Sequence, residues 1–134
     1  MDTNTRALEL VKALKRLERF NRIDLYDPYP YQLKFHETGS EANQRLLMAA
    51  NRIGKSFSGA AEMSYHLTGL YPDWWKGRRY DQPITAWAGG VSNETTRDIV
   101  QFELLGSPDD PDAFGSGAIP KNKIIKTERK PGVP

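Results

Sequence analysis

The chain has 134 residues, room for a single small domain, with 38% hydrophobic and 27% charged residues, the balance of an ordinary globular protein. No apolar run approaches the roughly 18 residues of a membrane span, the start Met1-Asp2-Thr3-Asn4-Thr5 has neither a basic leader nor an apolar segment, and zero cysteines exclude disulfides and thiolate metal sites. Nineteen basic against seventeen acidic residues leave +2, too little to argue for a nucleic-acid partner from bulk charge, and the default compartment is the cytoplasm.

From Thr5 to Arg22, Leu10, Leu14 and Leu17 fall at helical spacing, widened by Ala7, Val11 and Phe20, and predict an amphipathic helix. Its other face carries Arg6, Lys12, Lys15, Arg16, Arg19 and Arg22 against Glu9 and Glu18, which suits solvent first and DNA phosphates or a partner subunit second. Asp27-Pro28-Tyr29-Pro30 breaks that helix, so residues 1–28 read as a helix and linker, and a short second helix follows around Tyr31 to Glu37.

Gly39 and Ser40 mark a turn before Arg45-Leu46-Leu47-Met48-Ala49, whose apolar run suits a buried parallel strand. A loop ending in Gly54 comes next, then a helix from Lys55 to about Thr68 carrying Ala60, Ala61, Met63, Ser64 and Leu67. Leu70-Tyr71-Pro72-Asp73-Trp74-Trp75 stops it. Ile84-Thr85-Ala86-Trp87-Ala88 reads as a second buried strand, Ser92 as the cap of a helix reaching Leu105, and Lys123-Ile124-Ile125-Lys126 as a short strand before an exposed tail, Lys130 to Pro134. Alternating strands and helices predict an α/β fold, a partial P-loop NTPase architecture with a parallel sheet and flanking helices behind an N-terminal helix.

The loop Ala49-Ala50-Asn51-Arg52-Ile53-Gly54-Lys55-Ser56 carries the chemistry. A triphosphate needs inward-pointing backbone N–H groups, a helix N-terminus and a cation, and Gly54-Lys55-Ser56 between strand and helix offers all three. Lys55 is expected on the β and γ phosphates and Ser56 on Mg2+, while Gly54 admits backbone angles that a side chain obstructs. Against the pattern G-x-x-x-x-G-K-[ST] the first glycine is Ala49. A helix merely opening beside a glycine turn is the plainer alternative. Arg52 suits sensing of phosphate charge or, as an ion pair, the holding of the loop's shape.

Arg45 to Ser56, preceded by Tyr31-Gln32-Leu33-Lys34-Phe35-His36, resembles the N-terminal part of the ATPase domain of tailed-bacteriophage terminase large subunits. Many members of that family carry an arginine ahead of Gly-Lys-Ser/Thr and lack the first glycine. Pro72-Asp73-Trp74-Trp75-Lys76-Gly77 and Ala118-Ile119-Pro120-Lys121 extend the resemblance over most of the chain after Tyr29. It implies an ATP-driven motor that packages viral DNA into procapsids in a bacterial host cell. ATP and Mg2+ are its implied cofactors, and double-stranded DNA, a small terminase subunit, a portal and further copies of itself its implied partners. By position it assigns Gln32 to adenine, with Tyr31 or Phe35 on the purine.

The resemblance also implies an apolar strand ending in Asp-Glu that organises Mg2+ and water, and a nuclease domain. Neither occurs within these residues: Ile124-Ile125 leads to Lys126-Thr127-Glu128, and Ile99-Val100 falls in a predicted helix. Residues 29–134 are therefore read as an incomplete ATPase domain, truncated before those parts, that binds ATP and does not turn it over alone. A P-loop helicase and a non-catalytic prophage gene remnant are the alternatives. Asp109, Asp110 and Asp112 sit among prolines as a solvated loop, His36 and His66 as structural residues, and Trp74, Trp75 and Trp87 as core. Lys76, Arg78 and Arg79 form a basic cluster suited to solvent, with DNA phosphates second.

Overall fold

A computed structural model describes residues 2–50 and 54–128. Helix α1, Thr3–Phe20, opens on Asp2, whose side chain accepts from Asn4 N–H. None of its residues is buried: Leu10, Leu14 and Leu17 are all more than half exposed, so the apolar stripe of the sequence covers nothing here. A single 3-10 turn, Arg22–Leu25, then directs Ile23 and Tyr26 inward.

Helix α2, Pro30–Thr38, begins where the fixed φ of Pro30 favours a first turn, and Gln32 Oε1 reaches back to accept from Tyr29 N–H at 2.7 Å. Helix α3 spans Lys55–Thr68, between two glycines in the left-handed region, Gly54 at φ 83° and Gly69 at φ 70°. Gly69 N–H closes it on Tyr65 O at 2.8 Å. Helix α4 covers 93–105 as Asn93–Thr95, a π-helical stretch Thr96–Gln101, and Phe102–Leu105. Ser92 Oγ caps it by accepting from Thr95 N–H at 3.1 Å, as the sequence predicts.

The core forms around α3. Ala60 and Ala61 let neighbouring chain approach closely, Tyr65 and Trp75 fill the centre, and Ile23 and Ala118 close the sides. Tyr26, Phe57, Tyr71, Trp74 and Leu104 pack around them. The segment 113–119 wraps the end of α4, where Gly115, Ala118 and Ile119 N–H donate to the last carbonyls, Leu105, Glu103 and Leu104 O, at 2.8 to 3.0 Å. Ser64 Oγ ties the same segment to α3 by donating to Ala118 O at 2.8 Å. These bonds satisfy helix-end groups that local sequence leaves unpaired.

The parallel sheet expected from the sequence is not present: among the described residues there is no β-strand, and the architecture is helical. The stretches 45–49 and 84–88 do alternate between more and less exposed residues at their start, as strands do, yet no backbone hydrogen bond joins either to another described residue's backbone. Leu46, Met48 and Trp87 are 82%, 81% and 93% exposed, which is the opposite of a buried parallel strand. A strand is held by its neighbour, and these apolar runs have none beside them. The third expected strand, 123–126, is a 3-10 turn, Lys121–Lys123, followed by chain that pairs with no strand among the described residues, while 130–134 lie outside those residues. Among the described residues no helix is long and apolar enough to cross a membrane.

Candidate functional site

Gly54, Lys55 and Ser56 sit together where the N-terminus of α3 meets the preceding loop. The helical ladder starts with Ser58 N–H donating to Gly54 O at 2.9 Å, so the N–H groups of Lys55, Ser56 and Phe57 lie ahead of it, and no side chain among the described residues caps them. Such an end carries partial positive charge. The Lys55 ammonium folds back over the loop and donates to Ala49 O at 2.5 Å, and the Ser56 residue is exposed. Asn51, Arg52 and Ile53 lie outside the described residues. Ala49 and Ala50 belong to the extended approach to the loop.

A left-handed glycine, a lysine returning over its own loop and an uncapped helix start fit a bound phosphate chain, and the Ser56 hydroxyl is a fitting ligand for a phosphate-bound Mg2+. Beside Ser56 runs a cleft of about 350 Å³ whose walls include Gly59, Met63, Trp87, Val100 and Glu103. Glu103 Oε2 is buried and has no hydrogen-bond partner among the described residues. No group of three or more metal-ligating side chains occurs among them. Asp110 accepts from Asp112 N–H and shapes a turn.

Gln32 is placed differently from a residue that reads a base. It is 3% exposed, its Oε1 is engaged by Tyr29 N–H, and its Nε2 donates to Ser58 Oγ at 2.7 Å and Gly54 O at 3.2 Å. Both amide hydrogens are thereby used inside the protein, on the glycine that opens α3. Tyr31 and Phe35 are half-buried, and Phe35 lies under the Arg45 guanidinium, whose carbon is 4.5 Å from the ring centroid.

Behind the loop lies a set of polar residues that the sequence reading did not single out as a site. Gln32 and His36 are four apart on α2, and Ser58, Glu62 and His66 are four apart on α3, so each set lines one helix face. They meet rung by rung: Gln32 with Ser58, and His36 Nδ1 with Glu62 Oε2 at 2.8 Å. Arg45 grips both Glu62 oxygens and donates to Phe35 O at 2.6 Å. His66 Nε2 approaches Glu62 Oε1 at 3.4 Å, and its Nδ1 pairs with Tyr71 OH at 2.9 Å. Tyr26 OH lies 2.9 Å from His36 Nε2 and 3.4 Å from Ser58 Oγ.

Burial pushes the Glu62 carboxyl upward, but hydrogen bonds from His36, His66 and Arg45, with the Arg45 charge, outweigh it and hold the group well below the usual carboxylate range. Burial raises the hydroxyls of Tyr26 and Tyr65 above the phenol value of 10.0. Polar residues at i, i+4 on two consecutive helices were the available sequence signal. It went unused because polar periodicity ordinarily marks a solvated face.

The geometry at Gly54 defines a class first: a protein with a helix N-terminus opened by a left-handed glycine and backed by a buried polar network. The family comes from comparison. The chain is 37% identical over 142 aligned positions to the terminase large subunit of Salmonella phage P22, a match covering 95% of this chain and 28% of that protein. The chain is therefore a relative of the terminase large subunits, in agreement with the resemblance carried by Arg45 to Ser56. It spans little more than a quarter of the relative's length. No protein-family model matches it, and no solved structure does so at a significant level.

Proposed function

We propose that this chain binds ATP with Mg2+ at the N-terminus of α3, as the nucleotide-holding part of a motor that drives viral DNA into procapsids. The observation that supports this reading best is the arrangement at Gly54: its φ of 83° opens α3 with no capping side chain among the described residues, and Lys55 folds back to Ala49 O. Backbone N–H groups at a helix start and an adjacent ammonium attract an anion with several oxygens far more than a neutral ligand. In this role Lys55 exchanges the Ala49 carbonyl for a phosphate oxygen, Ser56 offers its hydroxyl to the cation, and Gln32 holds Gly54 in place. ATP would supply the motor with the free energy of phosphoryl transfer.

The relationship to the P22 protein supports the packaging part of the proposal. Double-stranded DNA, a small terminase subunit, a portal and further copies of the large subunit are the partners it proposes for the whole motor.

Equilibrium titration with a fluorescent ATP analogue in the presence and absence of Mg2+ tests the nucleotide reading. Lys55→Ala is expected to weaken binding by at least about tenfold, the scale of one charge-assisted hydrogen bond. Equal affinity of Lys55→Ala and the unaltered chain overturns it.

A further inference from the structure

The segment carrying Ala49 leaves Arg45 and returns at Gly54, and both of these ends are bonded into the same buried network. At the Gly54 end, the carbonyl oxygen accepts from Ser58 Oγ at 2.8 Å, from Ser58 N–H at 2.9 Å and from Gln32 Nε2 at 3.2 Å. At the other end, Arg45 is bound to both oxygens of Glu62 and to Phe35 O, and its guanidinium rests against Gly39, where a Cβ would stand 3.0 Å from it. Between the two ends, His36 of α2 is bonded to Glu62 of α3 at 2.8 Å, one turn along both helices from the pair of Gln32 and Ser58. Glu62, His36, Ser58 and Gln32 are 6%, 1%, 0% and 3% exposed, so each of these bonds forms away from water, where an unmade one is costly.

Proton accounting gives the network a direction. The ionised carboxylate is the one side chain here that only accepts, and it takes hydrogen bonds from Arg45, from His36 Nδ1–H and from His66 Nε2–H. His36 Nε2 is then left to accept, and the single Tyr26 phenol proton goes to it at 2.9 Å rather than to Ser58 at 3.4 Å. Ser58 keeps its own proton for Gly54 O and accepts from Gln32. Arg45, His36, His66 and Tyr26 point as they do because Glu62 stands at the end of that series. A neutral amide at that position presents two hydrogens and turns at least one against a histidine or Arg45 hydrogen.

We propose that Glu62 is a positioning residue for the phosphate loop, fixing Arg45 at one end and, by pinning His36 of α2 onto α3, the helix pair whose Gln32 and Ser58 hold Gly54 at the other. It touches no ligand and acts through those residues. This inference rests on the nucleotide reading for its consequence in binding, but not for the mechanical linkage itself.

Backbone 15N relaxation of the full chain separates this role from a general one in stability. In the unaltered chain the amides of Leu46 to Ala50 and Gly54 to Phe57 are expected near the rigid limit, an order parameter of about 0.85. Glu62→Gln is expected to lower both groups below about 0.6 while the amides of α4 stay rigid. Ser58→Ala, which cuts only one branch, is expected to loosen Gly54 to Phe57 and leave Leu46 to Ala50 unchanged. Affinity for a fluorescent ATP analogue with Mg2+ is expected to fall about tenfold in both variants, the effect of one lost buried hydrogen bond.

Equal loosening of α4 in Glu62→Gln, or rigidity retained at both ends, overturns the proposal. If Glu62→Gln does not fold, Ser58→Ala decides: loosening at both ends or at neither overturns it. Failure of Lys55→Ala to weaken the analogue removes the nucleotide reading alone, since the relaxation pattern still judges the linkage.

Discussion

His36 Nδ1 stands 2.8 Å from Glu62 Oε2, with His36 1% exposed and Glu62 6% exposed, so that a charged carboxylate and an imidazole face each other across α2 and α3 in the interior. Arg45 binds the same carboxylate from the segment entering the loop. A helix–helix contact made through an ionised group fixes relative position strongly, because any displacement leaves a charge buried and unpaired.

Removing that charge has a cost set by what it leaves behind. Glu62→Ala strips Arg45, His36 and His66 of their common acceptor and opens a cavity beside α2. We expect a loss of about 3 to 5 kcal/mol in urea unfolding, the range for breaking a buried ion pair by deleting one partner. A loss below about 1 kcal/mol, the value for an exposed pair, would show that water replaces the carboxylate.

The same carboxyl sets an acid limit. Its pKa is lower folded than unfolded, where it takes the ordinary value of 4.5, so below that pH the unfolded chain binds the extra proton first. The stability it contributes is fully present above about 4.5 and lost as pH falls toward the folded value. Urea midpoints measured from pH 6 to pH 3 should therefore decline for the native chain, on the order of that linkage. The Glu62→Gln profile should be flatter across the same window; parallel profiles would remove Glu62 as the source.

Gly54 and Gly69 offer an internal comparison, since both have positive φ but only one touches the network. At Gly54 a Cβ meets Gln32 Nε2 at 2.9 Å, whereas at Gly69 it meets nothing within 4 Å. Gly69→Ala should cost about 1 to 2 kcal/mol from the left-handed backbone alone and leave nucleotide binding intact. Gly54→Ala should cost at least as much in stability and also weaken the ATP analogue, because it displaces the amide that holds the loop. Identical behaviour of the two variants in the binding titration counts against a built loop.

The tryptophans separate core from surface. Trp75 is 3% exposed, donates from Nε1 to Arg78 O at 3.0 Å, and lies 5.1 Å from His36 and 5.3 Å from Tyr65 between ring centroids. Trp75→Ala should cost about 3 to 5 kcal/mol in thermal or urea unfolding. Trp87, 93% exposed, should be replaceable by Ala within about 0.5 kcal/mol. A large loss at Trp87 would mean that 84–88 has a packing partner in solution.

Much of the helical framework was legible from the residues. The bounds Lys55–Thr68 follow from Gly54 at the start, the apolar spacing and the stop at Leu70 to Trp75, and Ser92 marks the start of α4 through its own hydroxyl. Trp74 and Trp75 are core as read, but Trp87 is not, because its place depended on a sheet. His36 and His66 are structural, as expected, though they serve a network rather than an apolar face.

By itself the sequence determined which segments form α1 to α4, that Gly54, Lys55 and Ser56 open one of them, and the kinship with terminase large subunits that the P22 comparison shows. These are local properties: a cap, a glycine angle and a proline each act within a turn or two of chain. Only the tertiary structure decided that Gln32 bonds Gly54 and Ser58, that Glu62 gathers Arg45, His36 and His66, and that 45–49 and 84–88 join no sheet among the described residues. Each of those depends on which distant group arrives as a partner. A period of 3.6 tells which residues share a face, but not whether that face meets water, a hydrocarbon core or another row of polar side chains.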